Sequence, residues 1–160
     1  MNIFIFDTDI KKNVKQYCNK HVVKMILETA QILSTVLYKN GIYSPYRPTH
    51  KNNKCVLWAS ESKANFIYLL ELGIEIGNEY TYRYGKVHKS LYVLFEIRDK
   101  LDKLEFKETE QTPFVQCTDD IKHEDVSIAY RLYFNKYKQH IAKWKKRDVP
   151  TWFIKNYEKV

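Results

Sequence analysis

From Val14 to Leu37 the apolar residues recur at helical spacing, and this pattern constrains the fold more than any other part of the chain. Val14, Cys18, Val22, Met25, Ile26, Leu33, Val36 and Leu37 form a wide arc of the kind that faces a core. At about 100° per residue, Tyr17, His21, Lys24, Glu28 and Gln31 fall along one neighbouring stripe. Reactive groups therefore border the core instead of facing open water. A carboxylate placed there is exposed to perturbation by burial and by its neighbours.

Other segments carry the same period. One helix is expected from Asp9–Asn13 to Asn40-Gly41, a pair suited to a left-handed cap. A second should run from Cys55 through Phe66, Leu69 and Ile76 to Tyr84, with Gly85 as terminator. A third is expected near His88 to Leu104 and a fourth from about Glu124 to Lys145, with a tail at Pro150-Thr151-Trp152-Phe153. Tyr43 to Lys54 holds too many prolines and polar groups for a regular element. Ile3-Phe4-Ile5-Phe6 reads as a short strand or as a buried apolar arm. Four glycines and four prolines in 160 residues leave the helical period undisturbed over long stretches. The expected fold is all-α (mostly α): one domain, 1–160, a compact helical bundle with a short N-terminal arm.

No apolar stretch is long enough to span a bilayer, and the N-terminus lacks a signal-peptide pattern, so an intracellular protein (cytoplasm, nucleoid or nucleus) with no membrane partner is expected. Cys18, Cys55 and Cys117 are odd in number and widely spaced, which fits reduced thiols. The formal charge of +8 suits an acidic partner. Base and aromatic rings interleave at Tyr80–Lys89 and Tyr130–Tyr157, the mixture used for phosphate contact and base stacking. Solvated lysines chosen for solubility give the same composition.

The chemistry these residues support is narrow. The sequence has no HExxH or finger spacing, no glycine-rich phosphate loop and no nucleophile elbow, so no metal or cofactor is expected. Glu28 lacks an acidic partner at helical spacing, which argues against a paired-carboxylate hydrolase. Glu71, Glu75 and Glu79 form a row that reads as a solvated face. The plainer alternatives are a surface Glu28 paired with Lys24, which its place beside the apolar arc disfavours, and a hydrogen-bonded structural role for His21, common for a histidine at such a border.

His21, an apolar pair and then Glu28, seven residues after the histidine, resemble the first helix of the phage pyrimidine-dimer DNA glycosylases of the endonuclease V type. His123-Glu124, Ser127-Ile128-Ala129 and the basic run ending in Pro150-Thr151-Trp152-Phe153 are similar to the end of the same family. Leu27 and Gln31 stand where that family has arginines. The resemblance implies a base-excision enzyme, an N-glycosylase with possible AP-lyase activity, in which Glu28 is the catalytic acid and the terminal amine forms a Schiff base. Met1 would supply that amine, because the bulky Asn2 should block removal of the methionine. An α-amine is partly neutral at physiological pH, so it needs little activation as a nucleophile.

Catalytic candidates are thus Glu28, His21 and Met1. Candidates for contact with nucleic acid, duplex DNA first, are Lys24, Gln31, Arg47, His50, Lys51, Arg83, Lys86, His88, Lys145, Arg147 and Trp152. Two alternatives remain open: an enzyme acting on a free nucleotide or nucleotide-derived metabolite, and a nucleic-acid-binding protein without catalysis.

Overall fold

A computed structural model describes residues 1–159 as six α-helices: α1 (Ile10–Lys15), α2 (Asn19–Lys39), α3 (Lys54–Glu61), α4 (Lys63–Tyr84), α5 (Lys89–Asp99) and α6 (Val126–Tyr137). The described residues form no strand, only an isolated bridge between Ser62 and Glu108. No helix among them is long and apolar enough to cross a membrane. All six helices contribute buried side chains to one hydrophobic cluster, so the all-α expectation holds.

The caps explain the boundaries. Asp9, Asn53, Ser62, His88 and Asp125 each accept backbone N–H bonds with their side chains at the start of α1, α3, α4, α5 and α6. Gly85 ends α4 at φ 68°, as the sequence leads one to expect. Two expected helices are each broken in two. The first is interrupted at Gln16–Cys18, where Cys18 is extended. Asn13 accepts from the Phe6 amide at 2.8 Å and donates to the Phe4 carbonyl at 2.8 Å, while the Tyr17 hydroxyl donates to that carbonyl at 2.7 Å. Docking the N-terminal arm thus outweighs helix continuity. The second break falls at Ser62, whose extended backbone and side-chain cap begin α4 afresh. The fourth expected helix ends at Tyr137 instead of Lys145.

Ile3 to Phe6 form the buried arm, not a strand, at 4%, 3%, 1% and 0% exposure. Phe6 stacks on Trp152 and meets Phe134 edge-on. α2 lies deepest, packed on α3, α4 and α5. Glycines let α4 lie close to α2 and α5: a Cβ on Gly73 would stand 2.8 Å from Thr29 Cγ2 of α2, and one on Gly77 would stand 2.8 Å from Leu91 Cδ1 of α5 and 3.1 Å from Ile26 Cδ1 of α2. Close packing fixes the rotation of α2, and with it the direction in which His21, Lys24 and Glu28 point.

Glu79 departs from the solvated acidic row. Only 4% exposed, it binds the Arg83 Nε at 2.7 Å and Arg147 through both carboxylate oxygens at 3.0 and 2.9 Å. Burial acts to raise the Glu79 carboxyl, but bonds from Arg147 and Arg83 outweigh it and hold the group below the ordinary carboxylate range.

Candidate functional site

The polar stripe of α2 opens into a cleft of about 570 Å³. It is lined by α2, by the N-terminal arm, by residues 116–119 with Lys122, and by the turn after α6 through Lys138, His140 and Ile141. Met1, His21, Lys24 and Glu28 all line it.

The start of the chain is anchored there by a small network. Asn2 donates to the Cys117 carbonyl at 2.9 Å, and its side-chain oxygen accepts from the Ile3 amide at 2.8 Å and the Tyr130 hydroxyl at 2.9 Å. The Met1 carbonyl accepts from Asn53 Nδ2 at 3.4 Å and from the Cys55 thiol at 3.8 Å. Residue 1 is therefore tied to the start of α3, and residue 2 to Cys117, so the start of the arm is held against the cleft.

His21 lies beneath the arm. Its ring sits 4.1 Å from that of Phe4, centroid to centroid, and meets Phe134 edge-on. Burial, then the charges of Lys138 and Lys24, push its pKa down to about 3, so the ring is neutral at physiological pH. Nδ1 is buried without a hydrogen-bond partner among the described residues. A neutral imidazole shapes the cleft and can accept or donate one hydrogen bond, but it brings no positive charge to a phosphate.

Glu28, with its side chain 12% exposed, pairs loosely with the open Lys24 at 3.9 Å. Lys20, Lys54, Lys122 and Lys138 also line the cleft, against Asp119 as the other carboxylate. Cations thus outnumber anions around a shielded glutamate. On the wall, Cys117 Sγ lies 3.7 Å from Cys55 Sγ. The hydrogen bond from Cys55 lowers the Cys117 thiol to about 7, with help from Lys54 and Lys122, while Cys55 is pushed up.

No family model, curated protein or solved structure compared with this chain matches it.

Several predicted contact residues sit elsewhere, in packing roles. Arg83 is 1% exposed and spends its guanidinium on Glu79, the Asn19 side chain and the Lys15 carbonyl. Arg147 is held by Glu79 and lies over the Tyr82 ring. Trp152 donates to Gln16 at 2.5 Å and packs on Phe6 and Phe134, so its ring is not a free stacking platform. His88 caps α5 and bonds the Val23 carbonyl at 3.0 Å. Lys145 lies over Tyr84 and Lys51 over Tyr38, both exposed. Arg47, His50 and Lys86 are exposed and outside the cleft, and half-buried Gln31 is not among its lining groups.

Lys54, Lys122, Lys138 and Cys117 are cleft residues that no periodic signal marks, because three lie outside helices and Lys54 is the first residue of one. A shielded carboxylate, a neutral imidazole and a ring of ammonium groups can bind a phosphorylated sugar and stabilise positive charge developing on it.

Proposed function

We propose that the cleft takes a nucleotide unit of DNA and cleaves its N-glycosidic bond, with Glu28 facing the sugar. The observation that carries this reading is the meeting of Glu28, His21 and residue 1 in one cleft rimmed by five lysines. The lysines suit the phosphates on either side of the target nucleotide. Glu28 is shielded enough for its charge to count, and it lines the cleft in which a sugar cation would form. His21, being neutral, positions the sugar or the leaving base by a hydrogen bond.

In a chain whose α-amine is that of Met1, the amine attacks C1′ as the base departs with the bonding electrons. Glu28 relays the proton lost by the amine, and opening of the sugar ring gives an iminium. Otherwise, water activated by Glu28 makes the same attack, and no covalent intermediate forms.

The test is incubation with duplexes carrying damaged bases or abasic sites in the presence of borohydride. A reduced protein–DNA adduct located at Met1 supports the amine route. Base release without an adduct supports the water route. No base release from any duplex, nor adduct with any, sinks the DNA reading.

A second reading, an enzyme of free nucleotides, is favoured by one observation: Trp152, Arg83 and Arg147 are engaged in packing, so they do not extend a track beyond the cleft. Tight binding of a mononucleotide with hydrolysis of its glycosidic bond, and a flat salt response on duplex DNA, would select it.

A further inference from the structure

Cys55 and Cys117 form the one thiol pair within contact distance among the described residues, and they sit on the wall of the cleft. Cys55 is fully buried at the start of α3; Cys117 is half-buried and lines the cavity, where a small polar reagent can reach it. Their sulfurs are 3.7 Å apart, close to van der Waals contact and far short of a bond of about 2.05 Å. Cys18, the third thiol, is buried elsewhere against α2 and has no sulfur neighbour. The pair is also asymmetric. Cys55 is enclosed, whereas Cys117 shares the cleft with Lys54, Lys122 and the N-terminus, whose positive charge favours the accessible sulfur as thiolate.

From this geometry we infer that Cys55 and Cys117 are a hydroperoxide-reactive dithiol, which oxidises to a disulfide in the wall of the cleft. The Cys117 thiolate attacks one peroxide oxygen; the O–O bond breaks, giving a Cys117 sulfenic acid and hydroxide. Cys55 then attacks the sulfenic sulfur, the S–O bond breaks, and the Cys55 proton leaves with that oxygen as water. Two thiols are oxidised by two electrons and the peroxide is reduced by two. Cys55 is buried beside Cys117, so it resolves the sulfenic acid before a second peroxide can reach it.

The bond would rearrange the groups that anchor the arm. Drawing the sulfurs together removes the Cys55 S–H donor from the Met1 carbonyl and pulls on the segment whose carbonyl holds Asn2. Occupancy of the cleft and oxidation of the pair are therefore coupled, an effect that rests on the functional reading above; formation of the disulfide does not.

The experiment treats the full-length protein with a modest excess of hydrogen peroxide and reads intact mass, peptide map and free thiol content. The expected result is a loss of about 2 Da, a peptide linking residues 55 and 117, two fewer titratable thiols, and full reversal by dithiothreitol. In Cys55→Ser the expectation changes to a gain of about 32 Da at Cys117 as the unresolved sulfenic acid oxidises further. Cys117→Ser should stay at its starting mass, and circular dichroism confirms that both variants fold. Further oxidation of Cys117 in the wild type, a link through Cys18, or loss of both Cys55 and Cys117 thiols only after denaturation would each overturn the inference. A cross-link that forms as expected in a protein lacking glycosidic activity leaves it intact and removes only the coupling to function.

Discussion

Two basic, aromatic regions of this protein look alike in sequence and behave oppositely in the fold. Around the cleft, Lys20, Lys24, Lys54 and Lys122 are exposed, and only Lys24 has a carboxylate within ion-pair distance. At the junction of α4 and the C-terminal tail, Arg83 and Arg147 converge on a single buried glutamate, and Trp144 and Trp152 both donate to Gln16. The first region keeps its charge available to a ligand. The second uses the same residue types to bind the tail to the body. What separates them is how firmly the donors are held: buried Glu79 and Gln16 satisfy donors that would otherwise turn outward, whereas Lys24 meets Glu28 only at 3.9 Å and Lys122 meets the Gln116 carbonyl at 3.1 Å from an exposed position.

The largest test of this contrast removes the acceptor. Glu79→Gln leaves Arg83 buried beside a neutral amide and frees Arg147, so stability should fall by about 3–5 kcal/mol, the scale for breaking a buried ion pair from one side. Urea denaturation measures it. A cost under about 1 kcal/mol would mean that the tail is held by its aromatic contacts alone and that the arginines are available for other partners.

The opposite substitution belongs in the cleft. If the cleft cleaves a glycosidic bond as proposed, Glu28→Gln should lower base release by about 100-fold or more, because the amide cannot hold the charge that a sugar cation needs. Its stability should change by less than about 0.5 kcal/mol, since the one ion partner is an open lysine at 3.9 Å. Turnover near that of the wild type would take Glu28 out of the chemistry and leave the cleft a binding site only.

How far these roles could be read in advance depended on distance along the chain. The α2 stripe was legible because a helix converts spacing directly into direction, so His21, Lys24 and Glu28 share a face by geometry alone. Gly85 and Asp9 were legible as boundaries because their conformational preferences act locally. The break at Gln16–Cys18 was not, since it is imposed by the arm: Asn13 and Tyr17 bond to Phe4, thirteen residues or fewer away but in another element. Glu79 belongs by spacing to a solvated row, and Arg83 at i+4 fits a surface pair equally well; the partner that covers it, Arg147, is 68 residues distant. Cys117 and Lys122 reach the cleft on an irregular segment, where no period assigns a side chain a direction.

His21 offers a pH test of the same boundary between buried and available groups. With its folded pKa depressed to about 3 and an unfolded value near about 6.5, the unfolded chain takes up a proton that the folded one refuses. The contribution of the neutral ring to stability is fully present above pH ~6.5 and is lost as pH falls toward ~3. Between pH ~6.5 and ~4.5 this amounts to about 2 kcal/mol. His21→Phe keeps the packing against Phe4 and cannot protonate, so the gap in denaturation midpoint between variant and wild type should shift in favour of the variant by that amount across the interval. Parallel curves would place the ring in contact with water in the cleft, and the proposed positioning of substrate would then fall to a protonatable group.

The smallest expected effect compares one lysine from each region. Lys24 lies at the cleft with its side chain 70% exposed, and Lys145 lies over the Tyr84 ring on the tail; both are solvent-accessible ammonium groups on the same basic protein. If availability to a ligand depends on the cleft and not on net charge, Lys24→Ala should weaken duplex binding and lower the slope of log affinity against log salt by about 1, the loss of one released counterion. Lys145→Ala should leave that slope unchanged and shift affinity by less than about twofold, through the long-range field alone. Neither change should move stability by more than about 0.5 kcal/mol, because exposed charges at this distance are screened. Fluorescence anisotropy with a labelled duplex at several salt concentrations resolves the two slopes. Equal slopes for both variants would show that the phosphate backbone follows the total basic surface, tail included, and the division between a ligand-facing region and a packing region would then apply to Arg83 and Arg147 but not to the lysines.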